Sequence, residues 1–415
     1  MEAAQPRGRL GLPVSQRRIL SLATVFPRPG EPAFGVFVER RLQALGKLAE
    51  VRVVAPVPLL EICGRQLRFL RHGPPRRIQR GSLLIHHPRW LYPPGLGFLH
   101  ARLLAARLLP LMGNLAHEFP FDLLDAHFGY PEGTAAGIIA ARLGKPFAVT
   151  LRGNEPALAA SPSRREQMAR AFRHAAAVVA VSGALRDFAV SLGAPPDRCR
   201  VIGNGVDSAT FYPRPFRETR IRLGMAPDRI HLLSAGYLIP RKGHHRLAAL
   251  LPALHEAGLP VDLWIVGGPG REGDSSAEIA RVVRDHGLGS CVHLVPPVPP
   301  ERLAEYMSAC DLFCLASSRE GWPNVVHEAL ACGAPVVAAR VGAVEEIIGG
   351  EENGIVVPPD DGRALLDGLL RALRRRFDRD AVARRAAARS WDCVAQEVYD
   401  LFETILATPV APGPS

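Results

Sequence analysis

The sequence predicts an α/β fold made of two Rossmann-like domains that face a central cleft. Three observations carry that expectation. Short apolar runs alternate with helical periodicity along most of the chain, the pattern of parallel strands covered by helices on both faces. The alternation restarts after Tyr212–Pro215, a proline-bearing break near the middle of the chain. The 415 residues, 47% of them hydrophobic, suffice for two cores of ordinary size.

The elements follow in order, with unbroken apolar runs read as strands and apolar residues three or four apart read as helices. In the first half Arg18–Thr24, Val51–Pro56, Asp122–Ala126, Phe147–Leu151, Ala177–Val181 and Val201–Ile202 read as strands. Helices are expected at Phe34–Leu48, Gly133–Leu143 and Arg165–Ala176. In the second half strands are expected at His231–Ala235, Val261–Val266, Val292–Val295, Asp311–Ala316 and Pro335–Ala339, and helices at His244–Glu256, Ser276–His286 and Glu301–Ala309. A short helix lies between the last two strands, with Pro323 suited to its first turn and Gly333 to its C-cap. Val382–Leu406 reads as one long terminal helix with Trp391, Val394, Val398, Phe402 and Ile405 on one side. The expected organisation is therefore a domain over 1–212, a second over 213–385, a crossover helix over 386–407 and a tail over 408–415.

Charge divides the chain. Its net charge is +11, but residues 1–212 hold 28 Lys+Arg against 14 Asp+Glu, and residues 213–415 hold 23 against 26. Ile62–His117 contains no acid, and its arginines (Arg65, Arg68, Arg71, Arg76, Arg77, Arg80, Arg89, Arg102, Arg107) are interleaved with Phe69, Trp90, Tyr92 and Phe98. Such a segment suits the surface of an anionic membrane leaflet or a solvated basic face. Nucleic acid is not expected, because no helix-turn-helix, zinc-finger or RNA-recognition signature is present. A membrane span is not expected either: Gly95–Leu115, the most apolar stretch, is broken by His100, Arg102, Arg107 and Pro110. The apolar run Ile19–Phe26 is too short for a signal peptide and lacks a cleavage site. Seven scattered cysteines point to a reducing cytoplasm.

The most informative residues are Glu320 and Glu328, eight apart between two strand-like runs. Glu320 falls in a loop at the carboxyl end of a strand, where open α/β sheets bind ligands. Glu328 falls in the following helix, whose N–H groups and positive dipole end point at the same crevice. The apolar neighbours Val325, Val326, Ala329 and Leu330 imply a largely buried helix, so Glu328 needs hydrogen-bond donors there. Ribose hydroxyls would supply them. Lys242, after the strand at 231–235, points a charge at the same cleft, with Arg241 beside it.

This run resembles the acid-x7-acid motif of the retaining GT-B glycosyltransferases, family 4. The resemblance implies a GT-B fold whose C-terminal helix crosses back to the first domain. It puts Glu328 on the nucleotide ribose and Glu320 on the transferred sugar. It makes Gly321, Trp322, Pro323, Asn324 and Val325 part of the donor site, and Gly236–Gly243 a phosphate clamp in which Lys242 is the lysine. Tyr237 stands where many relatives carry arginine. The glycine turn with Gly267 and Gly268 would lie near base and phosphates, and Gly342 would bring backbone amides to a phosphate. His127 matches the first-domain histidine that reaches over the donor sugar. Arg152, Asn154 and Glu155 end a first-domain strand and are acceptor-side or sugar-side candidates, and Gly35 marks a loop covering the acceptor. Asn204–Pro213 resembles the interdomain signature, with Asp207 and Phe211 structural.

The expected activity is retaining sugar transfer from a nucleotide-sugar to a lipid-linked glycan acceptor at the inner face of the plasma membrane. The first domain looks like the polysaccharide-building branch, such as teichuronic or capsular polysaccharide transferases. No cofactor or metal is expected: Asp378 and Asp380 spell D-x-D in a charged helical stretch, Cys310 and Cys314 flank a buried strand, and His244 and His245 lack a matching acid pair. Three other readings stay open. They are a nucleotide-sugar epimerase on the same architecture, a non-catalytic nucleotide-sugar-binding protein, and an oxidoreductase using the G-x-G-x-x-G at Gly268, Gly270 and Gly273.

Overall fold

Strands buried along their whole length can only pair with other strands beneath covering helices. Leu123–His127, Phe147–Leu151 and Val261–Val266 are buried at every position. The computed structural model, which describes residues 16–32, 34–63, 66–69, 74–270 and 273–407, accordingly contains two large sheets. Arg65, Arg71, residues 408–415 and the side chains of Arg68 and Phe69 lie outside the described residues.

The first sheet has eight strands in the order Cys199–Val201, Ala177–Ala180, Phe147–Leu151, Leu123–His127, Arg18–Leu22, Glu50–Val54, Leu83–His86, Arg77–Arg80. All neighbours are parallel except the edge pair Arg77–Arg80 and Leu83–His86. The second has six parallel strands in the order Val292–Val295, Val261–Val266, Ile230–Ala235, Leu312–Leu315, Val336–Ala339, Gly354–Val357. Strand order reverses beside Arg18–Leu22 in the first sheet and between Ile230–Ala235 and Leu312–Leu315 in the second. The loops leaving those strands flank the crevice where doubly wound sheets take ligands. One carries Lys242 and another carries Glu320, so topology alone brings them together.

Several elements depart from the sequence reading. The helix expected at His244–Glu256 breaks into His244–Ala248 and Leu251–Glu256. Pro252 explains the break: it has no N–H and its ring opposes the carbonyl of Ala248, where the first piece ends. The terminal helix expected over Val382–Leu406 is likewise two helices, Arg379–Ala387 and Trp391–Ala407. Between them the backbone extends, Val206 N–H donates to Arg389 O at 3.0 Å, and Ser390 Oγ caps the new helix by accepting from Cys393 N–H at 3.2 Å. Helices Gly183–Ser191, Phe216–Leu223 and Gly362–Arg374 are not announced by the apolar runs.

The Trp391–Ala407 helix packs Trp391, Val394, Val398 and Phe402 into a cluster with Ile19, Val38, Leu42 and Val53, so the chain ends its second half against the first domain. The acid-free segment contributes to both core and surface. Helix His100–Glu118 turns Leu104, Leu108, Met112 and Leu115 into the first-domain core and keeps Arg102 and Arg107 on its exposed face. Among the described residues of that segment, Leu91, Tyr92, Leu96 and Phe98 remain as exposed large apolar side chains. No described helix is long and apolar enough to cross a membrane.

Candidate active site

The loop after strand Leu312–Leu315 carries Glu320, and helix Asn324–Ala331 follows it. Pro323 is the N-cap of this helix. At its other end Gly333, at φ 76°, and Ala334 close a Schellman turn, with Ala334 N–H donating to Ala329 O at 3.0 Å and Gly333 N–H to Leu330 O at 2.8 Å. Val326, His327, Ala329 and Leu330 are buried, while Asn324, Val325 and Glu328 form the less buried face. That face is the one a ligand can reach.

Glu320 and Lys242 form an ion pair: Lys242 Nζ donates to Glu320 Oε1 at 2.6 Å, and Ser317 Oγ donates to the same oxygen at 2.8 Å. Arg241 Nη1 lies 3.6 Å from Glu320 Oε2. Both members of the pair are largely buried. A cavity of about 460 Å³ lined by Ile239, Pro240, Arg241, Ser318 and Arg319 opens next to them. Tyr237 is exposed nearby.

Glu328 contrasts with Glu320. It is partly buried, and no hydrogen bond or ion pair reaches its carboxylate among the described residues. Burial pushes its pKa up to about 7, Arg40 opposes that shift and Asp207 adds to it. Arg40 pairs with Asp207 at 3.1 Å, so the cation that opposes the shift is already engaged.

Across the crevice, the carboxyl ends of the central first-domain strands hold a buried polar network. His127 is 0% exposed. Its Nδ1 is 2.9 Å from Arg152 Nη2, and its Nε2 is 3.1 Å from Ser21 Oγ and 3.2 Å from Asp125 Oδ2. A guanidinium only donates, so Nδ1 accepts and the proton of the neutral ring sits on Nε2. Burial pulls His127 down to about 4 against the opposing pull of Asp125, so the ring is neutral at physiological pH. Burial likewise lowers Arg152 to about 9. Arg41, also buried, donates to Thr150 Oγ1 at 2.8 Å and lies 3.7 Å from Asp125.

Several expected site residues are placed differently from the sequence reading. His127 does not reach into the cleft; it lies beneath Arg152 and holds it. Glu155 does not face the cleft either. Its carboxylate is buried and accepts from the backbone N–H groups of Gly129 at 3.0 Å, Arg152 at 3.1 Å and Gly153 at 2.7 Å. It is a staple for the loop that presents Arg152. Asn154 is exposed. Gly35, at φ 74°, starts helix Val36–Leu45, and a Cβ there would meet Val25 O at 2.5 Å. A Cβ on Gly267 would collide with Gly236 O and one on Gly268 would meet Pro297 at 2.8 Å, so both glycines let neighbouring loops pass. Gly342, at φ 55°, buttresses the glutamate loop, and the next amide, Ala343 N–H, donates to Gly321 O at 2.9 Å rather than facing a ligand. Asp378 caps a helix by accepting from Ala381 N–H at 3.0 Å, and among the described residues no His, Cys, Asp or Glu group is arranged to hold a metal.

The two halves of the crevice meet through backbone. A Cβ on Gly321 would collide with Arg152 O, and one on Gly153 would lie 2.6 Å from Gly321 Cα. Asn204 spans the junction: Oδ1 accepts from Arg152 Nη1 at 3.0 Å and Nδ2 donates to Asn324 Oδ1 at 3.0 Å.

Sequence comparison fits this arrangement. The "Glycosyltransferase Family 4" pattern matches residues 35–210 and the "Glycosyl transferases group 1" pattern matches residues 215–390. The chain is a GT-B glycosyltransferase of family 4. It is 28% identical over 364 residues to a protein of Bacillus subtilis described as "Putative teichuronic acid biosynthesis glycosyltransferase TuaC", covering 85% of this chain and 88% of that one. It is 35% identical over 228 residues to a D-inositol 3-phosphate glycosyltransferase of Acidothermus cellulolyticus, covering 52% of this chain and 50% of that one. The crystal structure of Anabaena Alr3699/HepE in complex with UDP-glucose superposes with a TM-score of 0.69 at 20% identity, covering 93% of this chain and 99% of that one.

In this glycosyltransferase four site residues escape sequence reasoning: Asn204, Arg41, Asp125 and Arg40. Asn204 precedes Gly205 and reads as a turn; its bridging role depends on partners far along the chain. Asp125 lies two residues before His127 on one strand, and that spacing puts both side chains on one face, a usable signal.

Proposed function

We propose that this glycosyltransferase takes its sugar from a nucleotide-activated donor and passes it, with retention, to a lipid-linked glycan acceptor in cell-surface polysaccharide synthesis. The reading is cytoplasmic, with the enzyme peripheral to the inner face of the plasma membrane, and it uses no metal or cofactor. The observation that carries it is the pairing of Lys242 with Glu320 at a sheet switch point, followed on the next helix by Glu328, an acid whose carboxylate has no hydrogen-bond or ion-pair partner among the described residues. A neutral pair, with a carboxylate on the following helix that lacks a partner among the described residues, suits a ligand that brings both phosphate and hydroxyl groups. The Anabaena protein was crystallised with UDP-glucose, which makes UDP-sugars the first donor class to test.

In this reading Glu328 accepts hydrogen bonds from the ribose. Lys242 and Arg241 shift from Glu320 toward the diphosphate, which frees Glu320 for the sugar hydroxyls. The first-turn N–H groups of Asn324–Ala331 add dipole stabilisation to the leaving phosphate. The bond between the anomeric carbon and the donor phosphate oxygen breaks with its electron pair on that oxygen. The acceptor hydroxyl attacks from the same face and its proton passes to that departing oxygen. Arg152, held by His127 and Asn204, is the first-domain cation nearest the junction. The backbone contact between Gly153 and Gly321 excludes water, which would compete as an acceptor.

The test is a melting-temperature screen against a panel of nucleotide-sugars. Stabilisation by one nucleotide class, lost in Glu328→Ala, is the expected result. A chain that no nucleotide stabilises would overturn the reading.

A further inference from the structure

We propose that the loop Leu91–Phe98 inserts into the surface of an anionic bilayer and sets the acceptor side of the cleft against it. The inference rests on the lipid-linked acceptor proposed above and names the element that meets the lipid. Four of the ten exposed large apolar side chains among the described residues lie in this one loop: Leu91 at 48%, Tyr92 at 37%, Leu96 at 43% and Phe98 at 45%. Clustering of that kind marks an interaction surface rather than scattered exposure.

The loop is built to hold these side chains outward. Its backbone is tied down at three carbonyls, and a fourth is held just before it. Arg107 Nε donates to Arg89 O at 2.8 Å, His100 Nε2 to Pro93 O at 2.8 Å, Gln167 Nε2 to Phe98 O at 2.9 Å, and Tyr130 Oη to Gly97 O. Trp90 anchors its start in the core. Little further ordering is needed when the apolar tips enter a bilayer.

Charge identifies the partner. No acid occurs between Ile62 and His117. Arg102 and Arg107 are exposed on the helix that follows the loop, Arg165 is exposed on helix Pro162–His174, and Arg164 lies against Gly97. The nearby acid Glu166 is paired with Arg173 at 3.1 Å. Apolar and aromatic tips ringed by arginine fit anionic headgroups over a hydrocarbon interior. Position gives the contact its purpose. Tyr130, which ties Gly97, follows His127 by three residues at the carboxyl end of a central strand, on the edge of the first sheet that faces the crevice. Docking there brings membrane and cleft to one edge.

Phosphatidylcholine vesicles with and without phosphatidylglycerol test this, using Phe98→Trp as a reporter. The tryptophan emission should shift to the blue only with the anionic vesicles, and brominated lipid should quench it. A Leu96→Glu/Phe98→Glu double variant should bind anionic vesicles about a hundredfold more weakly, with an unchanged melting temperature and an unchanged response to nucleotide-sugar. Parent-like vesicle binding by the double variant, no vesicle binding by the parent, or equal binding to both vesicle types would overturn the proposal. So would a parent dimer, seen by sedimentation without lipid, that the double variant dissociates. Loss of the nucleotide response in the parent would instead count against the donor reading, leaving the docking result to stand alone.

Discussion

Glu328→Gln should make this protein more stable and less able to bind its donor. Unfolded, the Glu328 carboxyl ionises near 4.5; folded, burial holds it at about 7. Between those values the folded state binds more protons than the unfolded one, so stability falls as pH rises and the loss is complete above about 7. The difference of roughly 2.5 pKa units corresponds to about 3 kcal/mol. The isosteric amide removes the charge without opening a cavity. At pH 8 the variant should therefore melt about 5–10 °C above the parent, and near pH 4.5 the two should melt together. Hydrogen bonds from ribose hydroxyls to a carboxylate contribute about 1.5–3 kcal/mol, so nucleotide affinity should fall about tenfold to a hundredfold. Calorimetric melting across pH, with titration of nucleotide at pH 8, reads both effects. Equal melting temperatures at pH 8 would refute the burial argument, and unchanged nucleotide affinity would refute the ribose assignment.

Three further perturbations follow from the same geometry. Asn204→Ala removes the partners of Arg152 Nη1 and Asn324 Oδ1 and should destabilise the protein by about 2–3 kcal/mol in urea unfolding; a change below about 0.5 kcal/mol would show that the bridge is idle. Glu155→Gln puts an NH2 group against backbone donors in a buried loop, and should cost about 2–4 kcal/mol and lower turnover through Arg152; full activity would exclude the staple role. Gly321→Ala places a methyl against Arg152 O and should lower kcat about a hundredfold or more, while nucleotide affinity, measured by titration, changes little. A parallel loss of nucleotide affinity would mean that the glycine serves the donor rather than closure.

The strands Phe147–Leu151 and Val261–Val266 have the same limits in sequence and structure, because an unbroken apolar run in a doubly covered sheet has no other way to hide. The proximity of Glu320 and Lys242 was legible for a related reason: each sits on a strand-to-helix connection, and such connections open on the crevice, while Glu328 lies in the helix that follows Glu320. What the sequence concealed depends on which strands become neighbours. The contact of Arg152 with His127 requires strands Leu123–His127 and Phe147–Leu151 to pair in register, with Thr150 opposite His127. Glu155 looked like a cleft acid because nothing local reveals that its carboxylate folds back on backbone amides of its own loop and of Gly129. The edge pair Arg77–Arg80 and Leu83–His86 was invisible because its outer strand is half exposed and shows no apolar run. The terminal helix looked continuous because its apolar spacing runs through Ser390, and the break there is imposed by Val206.

The junction at Gly153 and Gly321 acts as a mechanical stop. Two main chains rest on each other with no side chain between them, so the width of the shut cleft is set by backbone thickness and has no rotamer with which to adapt. Closure is then a matter of seated or not seated. A side chain on either glycine would have to hold the two main chains apart, so the spacing at this point is fixed by residues that contribute no side chain at all.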